Sequence, residues 1–146
     1  TTKNLPGNIL LANRNLVEDF EDPDVLAGYL VVEKLRSETY NPIEELLQNI
    51  SLISTFRLLT TGLINDDTLM DYADYLVTKP EEIVQSSEII KAFNDTNLSL
   101  LPFAKAIDIT GEGSLELIEA FEIRNSPVET SLPDANWVSL QNICNS

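Results

Sequence analysis

Histidine is absent from all 146 residues. The chain therefore has no imidazole to act as general base, as metal ligand or as a group titrating near neutral pH. A single cysteine, Cys144, precludes an internal disulfide and suits a reducing compartment. One cysteine and no histidine are too few ligands for a tetrahedral zinc site. Long apolar runs are missing as well. The longest, Val25 to Val32, is interrupted by Gly28 and falls well short of the roughly 18–20 residues a membrane-spanning helix needs. No basic-then-apolar leader opens the sequence, and no glycine-rich loop ends in the lysine that would grip a phosphate.

Positive charge is also scarce. Nine Lys and Arg stand against 24 Asp and Glu, a formal charge of −15. That balance repels phosphate backbones and anionic lipid, so direct binding of nucleic acid or membrane is disfavoured. Apolar residues make up 43%, which is ordinary for a folded domain and too many for a disordered acidic tail. Nucleophilic catalysis has no support: Cys144 and the serines lack an imidazole partner, and no Ser-x-x-Lys spacing occurs. Paired carboxylates are unavoidable among 24 acids, so their presence does not indicate glycoside hydrolysis. The sequence predicts no catalytic residues and no enzyme.

What is present is legible helix punctuation. Asp22-Pro23, Asn41-Pro42 and Lys79-Pro80 each precede an apolar-periodic run with acids in its first turn. Proline suits the first helical position, where its missing N–H would be unpaired anyway. Asp22 and Asn41 are placed to cap, with Glu44 three residues after Asn41 as in a capping box. Helices are predicted from about 23 to 37, from 42 to a stop at Gly62, and from 80 onward. The second carries Ile43, Leu46, Leu47, Ile50, Ile53, Phe56 and Leu59. It is apolar on most sides and reads as the central helix. A further helix, capped by Asn65, places Leu69, Met70, Ala73, Leu76 and Val77 on one stripe. A shorter one follows from Leu98 to Ile107. The short connections predict a mainly α, single-domain antiparallel bundle of about five helices over residues 1–123. A proline-punctuated extended C-terminal tail over 124–146 includes a short helix at 135–144, opened by Asp134 and carrying the only tryptophan, Trp137.

One segment resembles a known motif. Residues 108–119 read Asp-Ile-Thr-Gly-Glu-Gly-Ser-Leu-Glu-Leu-Ile-Glu, which is similar to the twelve-residue calcium loop of EF-hands. By that resemblance Asp108, Thr110, Glu112, the Ser114 carbonyl, Glu116 and Glu119 would ligate Ca²⁺ around Gly113 and Leu115. Thr110 stands where Asp or Asn is usual, and Glu112 is longer than the usual Asp. The alternative is a short β-hairpin or turn near 105–123, with Ile107 and Ile109 facing Leu115 and Leu117 across Gly111-Glu112-Gly113. The residue pattern favours the hairpin or turn and predicts no cofactor.

The acidic run Glu18, Asp19, Glu21, Asp22 and Asp24 reads either as a solvated helix entry or as a docking patch for a basic partner. Trp137 reads either as a lid on the helices or as an anchor in another subunit's pocket. Together these features predict a non-catalytic acidic interaction protein, intracellular and soluble, in the cytoplasm or a viral particle. It would serve as an adaptor, an assembly factor or a structural subunit within an oligomer or larger complex. Its partner would be a protein with a basic surface. The rivals are a calcium-binding module built on 108–119 and an acidic mimic of nucleic acid that occupies a DNA-binding protein.

Overall fold

The computed structural model describes residues 2–5, 9–39, 41–107, 114–122 and 130–145. The proline punctuation is realised at two of its three positions. Asp22 Oδ1 accepts the Asp24 N–H at 2.9 Å, and helix α2 (Pro23–Thr39) follows a short helix α1 (Asn15–Glu18). Asn41 Oδ1 accepts from the Ile43 and Glu44 N–H groups at the start of α3 (Pro42–Asn49). At Pro80 the expectation fails: residues 80–85 are irregular, and the helix begins only at Ser86. Arg36 accounts for the difference. Its Nε donates to the Glu82 carbonyl and its guanidinium pairs with Glu81, so these backbone and side-chain groups face α2 instead of building a first turn.

The predicted second helix is two helices. Ile50 and Ser51 are extended, and Ser51 Oγ caps the Ser54 N–H of α4 (Leu52–Thr61). Gly62 ends α4 in the left-handed conformation (φ 70°) that favours glycine. Then come α5 (Asp66–Thr78), α6 (Ser86–Thr96), α7 (Leu100–Ile107), α8 (Leu115–Glu122) and α9 (Asp134–Gln141), the last running into a 3₁₀ turn at Asn142–Asn145. The chain is thus mainly helical, with nine α-helices among the described residues rather than about five.

Two further corrections concern strands. The β-hairpin expected near 105–123 is not formed by its flanks: Ile107 ends α7, and Leu115 and Leu117 lie in α8. The intervening residues 108–113 lie outside the described residues. Helix wins there because Leu117 is driven into the core and Ile118 packs partly buried against it. Conversely, a two-stranded antiparallel sheet forms at the N-terminus, where strand β1 (Thr2–Leu5) pairs with β2 (Ile9–Ala12), Thr2 opposite Ala12 and Leu5 opposite Ile9.

The core lies between α2, α6, α7 and α8. Val32, Ile89, Phe93, Leu100, Phe103, Ala104 and Leu117 are buried together. Phe103 stacks on Phe93 at 5.7 Å and meets Tyr29 edge-on at 5.3 Å. Gly28 lets α7 approach α2, since a Cβ there would overlap Phe103. β1 is fastened to α2 through the Thr2 hydroxyl, which donates to buried Glu33 at 2.9 Å. The C-terminal segment also docks. The Ser131 N–H donates to Asp24 Oδ1 at 2.7 Å, and Gln141 Nε2 donates to the Val17 and Phe20 carbonyls.

Overpacking a tight site costs about 1–3 kcal/mol, so Gly28→Ala is expected to lower the unfolding free energy by that amount in urea titration; wild-type stability would refute the close approach. Burial, and secondarily the Glu81 carboxylate, push the Tyr29 phenol above its ordinary value of 10.0. The folded chain then holds this proton more tightly than the unfolded one. The stabilisation is complete below about pH 10 and is lost as pH rises beyond it. Absorbance at 295 nm should show a late-titrating tyrosine that Tyr29→Phe removes.

Candidate interaction surface

Helix α4 has the sequence Leu-Ile-Ser-Thr-Phe-Arg-Leu-Leu-Thr-Thr. On a 3.6-residue wheel, Leu52, Phe56 and Leu59 share one face, with Ile53 at its edge. The opposite face offers Ser54, Leu58 and Thr61. An amphipathic helix normally turns its apolar face inward. Here Ser54 is the buried residue, while Leu52, Ile53, Phe56 and Leu59 are 88, 81, 70 and 74% exposed. The central-helix reading is thereby corrected: α4 sits at the periphery and packs by its small polar side.

Specific polar contacts fix that orientation. Ser54 Oγ lies 3.3 Å from Thr68 Oγ1 on α5, and the Thr68 hydroxyl donates to Asn65 Oδ1 at 2.6 Å. Beneath, Ile50, Tyr72 and Leu76 are buried. Glu45 on α3 accepts from Lys79 Nζ at 2.5 Å and lies within 3.5 Å of the Tyr72 and Tyr75 hydroxyls. Lys3 of β1 donates to the Val77 and Lys79 carbonyls at the end of α5, where a cation complements the negative helix end. The unit α3–α5 is therefore held by hydrogen bonds and ion pairs around a small apolar centre, and it packs only sparsely on the main core. The stripe expected on α5 is turned likewise: Leu76 is buried, but Leu69, Met70, Ala73 and Val77 are exposed.

Leaving a large aliphatic or aromatic side chain in water forgoes about 1.5–3 kcal/mol of burial. The stripe of α4 alone is on the order of several hundred Å², the scale of the largest apolar patches on monomers and one typical of binding sites. Exposed Glu44, Asp66, Asp67, Asp71 and Asp74 lie on the two flanking helices. Across 41–79 the only cations are Arg57 and Lys79, the latter engaged by Glu45.

The residues singled out from the sequence are placed elsewhere. Of the acidic run, Asp24 is buried and satisfied by the Ser131 N–H, Asp22 caps α2, and Glu18 pairs with Arg14 at 2.6 Å. Asp19 and Glu21 remain as exposed acids. Trp137 is 3% exposed, on a helix packed against α1. Of the calcium-loop set, Asp108, Thr110, Glu112 and the Glu116 side chain lie outside the described residues. Glu119 is exposed on α8, and the Ser114 carbonyl accepts the Ile118 N–H at 3.0 Å, directed along that helix. No group of three or more metal-ligating side chains occurs among the described residues, and no described helix is long and apolar enough to cross a membrane.

A second concavity of about 620 Å³ runs between α2 and α6, lined by Leu30, Val31, Leu35 and Ala92 with Lys34, Glu38, Glu88 and Lys91. Its charges are mixed, and Lys34 pairs with Glu38 within it. The α4 face is the feature that sequence reasoning missed. The signal was available in the 52, 56, 59 spacing opposite Ser54 and Thr61. No family model, curated protein or solved structure matches the chain.

Because these side chains contribute little to the folded monomer, Leu52→Ser with Phe56→Ser should change stability by no more than about 0.5 kcal/mol. Phe93→Ala in the core should cost about 3–5 kcal/mol. Urea titration checks both, and a large loss in the α4 variant would mean the face is covered within the chain.

Proposed function

We propose that this chain is a non-catalytic interaction protein, an adaptor, assembly factor or structural subunit, which docks a protein partner through the exposed apolar face of α4. The observation carrying this reading is the inverted setting of α4, apolar side out and Ser54 side in. Such a face costs solubility and adds nothing to the monomer, so retaining it makes physical sense when another molecule covers it. The lack of histidine and the dispersal of the acids support a role without chemistry of its own.

The acidic balance suits a partner with a basic surface. It supports a nucleic-acid mimic less well, because Asp24, Glu33 and Glu45 are turned toward donors of this same chain rather than ranked along a face. Exposed acids also lie on α3 and α5, the helices before and after α4 in the chain.

The test is affinity capture from the native source with the full chain and with its Phe56→Asp, Leu59→Asp variant, each first shown to be folded by circular dichroism. A protein recovered stoichiometrically by the wild type and lost with the variant is expected. Identical recovery by both chains, or none by either, would count decisively against docking at α4.

A further inference from the structure

We infer that the occupant of the α4 face is a basic amphipathic helix of the partner protein, laid along the seam Leu52–Phe56–Leu59. This rests on the docking role proposed above and specifies its chemistry. The seam residues are spaced four and three apart along α4, the alternation that receives the side chains of a facing helix as knobs into holes. Along the helix this spans about 10 Å, enough for roughly two turns of a partner helix.

The polar surroundings choose the sign of the occupant. Glu44 on α3 and Asp66, Asp67, Asp71 and Asp74 on α5 are exposed, α5 being joined to α4 where Ser54 meets Thr68, and Arg57 is the lone charge on α4 itself. A helix with leucine-like anchors and Lys or Arg on its flanks buries the apolar stripe while its charges meet these acids. A second copy of this chain offers the right apolar seam but the wrong charge, since each copy carries −15. Anionic lipid is repelled for the same reason.

The probe is a fluorescein-labelled 18-residue helical peptide with leucines at four-three-four spacing and lysines on the flanking positions, titrated with the full chain and read by anisotropy. Its companion has the lysines replaced by glutamates. The Lys peptide is expected to bind at least tenfold more tightly than the Glu peptide and to weaken as NaCl rises from 50 to 500 mM. Phe56→Asp is expected to weaken Lys-peptide binding by at least tenfold although it adds negative charge, which a purely electrostatic association would not do. Equal binding of the two peptides, or binding unaffected by Phe56→Asp, overturns the proposal. So does a concentration-dependent dimer in sedimentation equilibrium that Phe56→Asp abolishes, or Phe56-dependent binding to neutral phosphatidylcholine vesicles. If the peptides fail while Phe56-sensitive capture from the native source succeeds, the docking role stands and its helical, basic occupant falls. If the capture is also insensitive to Phe56, both fall.

Discussion

The approach of α7 to α2 at Gly28 is the constraint on which the rest depends. Phe103 occupies the space a side chain at residue 28 would take, and from there it reaches both Tyr29 and Phe93. Ala104, fully buried beside it, completes the close contact. Interiors are packed like organic crystals, so one aromatic seated this deeply fixes the distances between α2, α6 and α7 together. The ends of α2 then become attachment points. Asp24 at its start receives the C-terminal segment, while Glu33 and Arg36 near its end receive β1 and residues 81–82.

Acidity in this chain thus has two uses. A minority of the acids work inside, each meeting specific donors. Glu33 takes the Thr2 hydroxyl and Arg36, Glu45 takes Lys79, and Asp24 takes a backbone N–H from across the fold. A buried carboxylate is costly unless it is paired in this way. These contacts join segments distant in sequence, giving the acids a role in specifying the arrangement that composition alone would not suggest.

The local chemistry of helix ends was readable from residues. Asn41, Asp22 and Gly62 do what their side chains or backbone freedom dictate. Orientation was not readable at α4, because a helix apolar on most sides could bury either face. Ser54 and Thr68 settled it through a contact fourteen residues apart that no periodicity encodes. The break at Ile50-Ser51 depends on a serine cap within an otherwise continuous apolar pattern. The N-terminal strands are four residues each, too short for alternation to register, and Glu33, thirty-one residues away, supplies the buried acceptor that fastens Thr2. The candidate surface was therefore visible as a spacing but not as a surface.

The docking of the C-terminal segment also bears on how the chain comes to be folded. Asp24 and Ser131 are 107 residues apart, and Gln141 reaches Val17 over 124. Such pairings require closure of nearly the whole chain, the slow and entropically costly kind of contact. A ribosome adds about 5–20 residues per second. For several seconds of synthesis the start of α2 therefore exists without its capping strap, and α1 waits for the helix that carries Trp137. Residues made more than a hundred positions later close the first helices, so the chain acquires the finished surface around α1 and the start of α2 only after residues 131–141 have been synthesised.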